Sequence, residues 1–104
     1  MWDTFDLFRV KRAIEALPES EIIIIASNKT VANEYWKRIK QQLNINKRPW
    51  IISNANTNDG LPFLGALILK IDRWWENKNA TFVMEQSRVS KLILPITYIP
   101  PHRK

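Results

Sequence analysis

Four consecutive isoleucines, Ile22 to Ile25, stand between Glu21 and the abruptly polar run Ser27-Asn28-Lys29-Thr30. β-Branched side chains are stiff at χ1 and favour extended backbone, and a strand without polar alternation must be covered on both faces. That requirement belongs to the interior of a parallel sheet. The chain is therefore expected to form an α/β domain, with helices on the sheet to cover what the isoleucines expose.

Length and composition fit that expectation. At 104 residues the chain has room for one core, and 45% hydrophobic with 25% charged residues is the balance of a globular protein. No cysteine is present, which excludes disulfides, thiolate metal sites and cysteine nucleophiles. Asp3 and Asp6 stand where a signal peptide would carry positive charge, and no apolar run is long enough to span a membrane. A soluble, cytoplasmic protein is the expectation.

Apolar residues at Leu7, Val10, Ile14 and Leu17 predict a helix from Asp3 to Leu17. Asp3 is placed to cap it, Trp2 and Leu7 to staple it, and Pro18 to end it. After the isoleucine strand, Ala32, Tyr35 or Trp36, Ile39 and Leu43 predict a second helix, and Arg48 to Ser53 a short second strand. Ser53 to Gly60 reads as a loop. Pro62 to Asn77 has helical spacing through Leu64, Leu67, Ile68, Ile71, Trp74 and Trp75, with Gly65 read as a close-packing residue. Ala80 to Glu85 then has strand composition. Two endings are open: a short helix from Ser87 to Leu92 before a strand near Ile96 to Ile99, or one edge strand from Leu92 to Ile99 broken by Pro95. The fold class expected is a small three-layer βαβ-type domain with a mainly parallel sheet of three to four strands, preceded by an N-terminal helix. Residues 1–99 make the domain and 100–104 a basic tail.

Parallel strands end on one sheet edge, where helix N-termini present free N–H groups and ligands commonly bind. Three polar clusters are expected there: Ser27, Asn28, Lys29 and Thr30; Asn54, Asn56 and Asp59; and Arg88 with Glu85. Helix capping accounts for the same residue types without a ligand. Asn28-Lys29-Thr30 is no phosphate-binding loop, because neither Gly60 nor Gly65 is near it. A dinucleotide fingerprint is also missing. His102, the only histidine, makes no triad or zinc cage, and Asp72 with Glu76 has ordinary surface partners in Lys70 and Arg73. A nuclease built on Asp59, Glu85 and Lys91 lacks a diagnostic spacing. No cofactor is expected.

Charge is the stronger signal. The net charge is +6, divided as −2 over residues 1–21 (three basic, five acidic) and +8 over 22–104 (thirteen basic, five acidic). Lys37, Arg38, Lys40, Lys47 and Arg48 fall within twelve residues with no acidic residue among them, between Trp36 and Trp50. Cations for phosphates beside aromatic faces for bases are the makeup of a nucleic-acid groove. The segment Ile22 to Ile39 also resembles elements of many nucleotide-handling α/β proteins, helicase-like domains among them, over less than a fifth of the chain and without a catalytic motif.

The leading expectation is a basic accessory protein that binds nucleic acid without catalysis through Lys37, Arg38, Lys40, Lys47, Arg48 and Trp50. The composition would suit a phage-like accessory protein. One alternative is a protein-interaction module, an oligomer subunit or inhibitor, that uses exposed tryptophans or meets an acidic protein partner. A second is a phosphate- or nucleotide-binding domain at the strand ends.

Overall fold

The computed structural model describes residues 2–52 and 60–100, with residues 2–5 by backbone alone. Helix α1 (Trp2–Ala16) comes first, followed by β1 (Ile22–Ile25), α2 (Lys29–Leu43) and β2 (Trp50–Ile51). Strand β3 (Leu67–Ile71), a 3-10 turn (Trp74–Glu76), α3 (Ala80–Gln86), a second 3-10 turn (Ser87–Val89) and β4 (Leu92–Ile96) complete the order. The four strands form one sheet, β2-β1-β3-β4, in which every pair is parallel.

The isoleucine run lies where its composition demands. Ile22 to Ile25 pair with Leu67 to Lys70 on one side, and Ile23 and Ile24 pair with Trp50 and Ile51 on the other. All four are buried, and alternation sends them to opposite layers. Ile22 and Ile24 join Val10, Ala13, Ala32, Tyr35, Trp36 and Ile39 beneath α1 and α2, whereas Ile23 and Ile25 join Ile52, Phe63, Ile68 and Val83 beneath α3. Two cores thus sandwich one sheet.

Two predicted elements exchange type. Residues 67–71, expected inside a helix, are strand β3, and 80–85, expected to be a strand, lie in helix α3. A short apolar run satisfies helical spacing and a doubly buried strand equally well, so periodicity alone does not separate them. Topology does. With β3 and β4 parallel, the chain must return to the starting edge between them, and Ala80–Gln86 is the helix that makes this crossover. Gly65 sits outside any helix at φ +71, and a Cβ there would meet nothing within 4 Å, so its role is the left-handed turn rather than close packing.

The ending matches neither predicted form in full: the helix expected from Ser87 to Leu92 is a 3-10 turn at Ser87–Val89, and the strand is Leu92–Ile96, which runs through Pro95 unbroken and stops before residues 97–99. A 3-10 turn precedes β4, and β4 carries Pro95 in its interior. Leu92 N–H bonds Ala66 O and Ile96 O accepts from Asp72 N–H, which turns the backbone groups of Pro95 to the outer edge, where its missing N–H costs no ladder bond. The predicted cap by Asp3 and staple by Trp2 rest on side chains outside the described residues, as do all or most of the 53–60 loop and the 100–104 tail. Among the described residues no helix is long and apolar enough to cross a membrane.

Helix α1 holds the end of the chain through Asp6. Its carboxylate, on a residue only 8% exposed, accepts the N–H groups of Thr97 at 2.9 Å and Tyr98 at 3.2 Å, and pairs with Arg9, which also donates to Pro95 O. Replacing Asp6 by Ala strands two backbone donors, so a loss of about 2 kcal/mol is expected in urea denaturation. Asp6→Asn, which keeps an acceptor oxygen, should lose less.

Candidate functional site

The strand order determines where a site can lie. From β1 the chain passes through α2 on one face to β2, and from β3 it passes through α3 on the other face to β4. The two connections leave in opposite directions, which makes the C-terminal edge between β1 and β3 the topological switch point of the sheet. Ser27, Asn28, Lys29 and Thr30 stand at this edge as expected. Asn28 is the N-cap of α2, its Oδ1 accepting Val31 N–H at 2.9 Å, so that side chain already has a structural task. Lys29 and Thr30 are exposed. Asn54, Asn56 and Asp59 lie outside the described residues.

Arg88 is not among this group. It follows α3 in the turn leading into β4, and the turn is tied to the start of β3 by Gly65 N–H on Val89 O, so Arg88 and Glu85 belong toward the opposite, N-terminal edge. The misplacement follows directly from reading residues 80–85 as a strand.

The residues at the end of β3 take that place instead. Asn77, 3% exposed, donates from Nδ2 to Ala26 O at 2.9 Å and accepts Asn79 N–H on Oδ1, which fastens the chain after β3 across the end of β1. Beside it, beyond the ends of β3 and β4, a pocket of about 240 Å³ is lined by Lys70, Asp72, Trp74, Trp75, Pro95, Ile96 and Thr97. Asp72 adopts a left-handed φ of 51°, a region that Asp tolerates better than most residues. Arg73 pairs with Glu76. The ordinary surface pairing expected of Glu76 is thus present through Arg73, although no helix joins Asp72 to Glu76.

These residues carried a legible signal. Lys70-Ile71-Asp72-Arg73 breaks from apolar to charged just as Ile25-Ala26-Ser27-Asn28 does, and the same rule that placed the end of β1 applies to the end of β3.

The six residues of the expected nucleic-acid patch divide. Lys37 and Lys40 are exposed on the outer side of α2, and Arg48 is exposed in the connector. Arg38 turns inward: its Nη1 donates to Ile99 O at 2.8 Å and its guanidinium lies 5.0 Å from the Tyr35 ring centroid and 5.8 Å from that of Tyr98. Lys47 Nζ donates to Ser20 O at 2.5 Å. Trp50, 44% exposed, has the same strand parity as Ile52 and so faces the α3 side, with its indole N–H on Glu21 at 2.9 Å. The sheet separates this ring from the α2 lysines.

Among the described residues no three His, Asp or Glu side chains gather where they could hold a metal ion. No family model matches the chain, and no curated protein or solved structure is detectably similar to it.

Burial, and secondarily the charge of Asp72, raises the Tyr35 phenol above its ordinary value of 10.0, while Arg38 pulls it down. A phenol that ionises less readily folded than unfolded contributes stability below about pH 10 and loses it as pH rises through the higher folded value. Tyr35→Phe should therefore lose less stability than the parent as pH rises above about 10, measured as thermal midpoints at increasing pH. Parallel declines would reject the assignment.

Proposed function

We propose that this chain is a small accessory protein that binds nucleic acid without catalysis, through the outer side of α2 and the connector after it. One observation carries the reading: Lys37, Lys40 and Arg48 are all exposed, and no acidic side chain pairs with any of them among the described residues. Unpaired cations on a chain of net charge +6 attract a phosphate backbone and release its counterions. The separation of Trp50 from these lysines favours contacts to phosphates over a groove that stacks bases beside them, so weak sequence preference is expected.

An acidic protein partner would meet the same cations, and the large exposed side chains Leu64 and Val89, which flank the Gly65 N–H to Val89 O bond, would suit a protein partner better than a nucleic acid. Direct binding of DNA or RNA separates the two. Replacing Lys37, Lys40 and Arg48 together by Glu spares Arg38 and Lys47, which hold the fold, and should weaken binding to DNA or RNA by at least about tenfold. The slope of log affinity against log salt should fall by about one for each phosphate that the variant no longer neutralises. Unchanged affinity for both nucleic acids in this variant would reject the surface.

A further inference from the structure

The pocket beyond β3 and β4 has a composition that the α2 surface lacks. Lys70 places its ammonium 4.3 Å from the ring centroid of Trp74, which covers that indole, while Trp75 packs edge-to-face on Trp74 at 6.1 Å and remains 61% exposed. A free aromatic surface held by a second ring is a stacking platform. Beside it, Asp72 is exposed and no cation is paired with it among the described residues; Arg73 is engaged by Glu76 and the Lys70 ammonium lies over Trp74. The turn that presents Asp72 is set by its N–H on Ile96 O at 2.7 Å. Pro95 and Thr97 supply an apolar wall and a hydroxyl.

We infer that this pocket binds a single nucleobase, stacked on Trp75 with ring N–H or amino groups donating to the Asp72 carboxylate. About 240 Å³ is below the roughly 300–1,000 Å³ of pockets that enclose drug-sized ligands, and it suits one ring system with its sugar outside. A carboxylate only accepts, so the ring it prefers has two adjacent donors on one edge. Guanine has them in its N1–H and amino group; thymine has a single N–H between two carbonyls. The position, outside the carboxyl ends of parallel strands, is the usual ligand edge of such a sheet. The inference does not rest on the α2 surface, whose residues lie elsewhere. Its ligand has two sources: a free nucleoside, or an unpaired base in a strand.

The test follows the Trp75 indole N–H resonance of the whole chain, identified by its loss in Trp75→Ala, during titration with guanosine and thymidine. Guanosine should shift it saturably and bind about tenfold or more tightly than thymidine. Trp75→Ala, followed by calorimetry, should weaken guanosine binding about tenfold, and Asp72→Asn should remove most of the preference for guanosine. The variant with Lys37, Lys40 and Arg48 reversed should retain guanosine binding, so failure of the α2 reading leaves this one standing. A guanine-bearing single strand that binds far more tightly than guanosine identifies a strand as the source, and equal affinity identifies the free nucleoside. No saturable shift up to the solubility limit of guanosine, equal binding of thymidine, or full binding by Trp75→Ala would overturn the inference.

Discussion

The pairing of β1 with β3 is the constraint behind every other feature of the fold. Ile22 to Ile25 against Leu67 to Lys70 makes a parallel ribbon that is apolar on both faces apart from Lys70, and a ribbon of that kind is stable only between two layers. Parallel strands also forbid tight hairpins, so each connection must carry enough chain to return across the sheet. The same connections then become the covering layers. One interaction thus demands α2 on one face and α3 on the other, and the two crossovers diverge from the C-terminal edge between β1 and β3.

The polar contacts that complete the fold are mostly side chain to backbone, and they secure places that the sheet leaves loose. Asp6 and Arg9 from α1, with Arg38 and Gln42 from α2, bind the chain from Pro95 to Pro100. Asn77 fastens the chain after β3 to the end of β1, and Lys47 ties the connector after α2 to the start of β1. This use of cations changes the meaning of a basic segment. Two of the five bases between Lys37 and Arg48 are bound to backbone carbonyls, and three remain for solvent or a partner.

Much of the architecture is legible in the sequence because its signals are local. The isoleucine run, the periodic faces of α1 and α2, Asn28 as a cap and Pro18 as a stop need only neighbouring residues to be read. The second half is not legible in the same way. Leu64, Leu67, Ile68 and Ile71 match helical spacing, yet Leu67 to Ile71 are also a continuous apolar run, and Ala80 to Gln86 hold a helix despite Thr81, Phe82 and Val83. Tertiary pairing overrides propensity there. The candidate site inherits the error: a strand at residues 80–85 would carry Arg88 to the ligand edge, and a helix through residues 62–77 would remove Asp72, Trp74 and Trp75 from it.

The α/β class, the doubly buried central strand, the two-layer helical cover and the basic body follow from the sequence unaided, because burial, periodicity and charge are properties of short windows. The tertiary structure was needed to decide which apolar run is β1's partner, which edge each polar cluster reaches, and which cations are engaged at home. Those outcomes depend on pairings between residues tens of positions apart. No window of sequence contains both partners of such a contact.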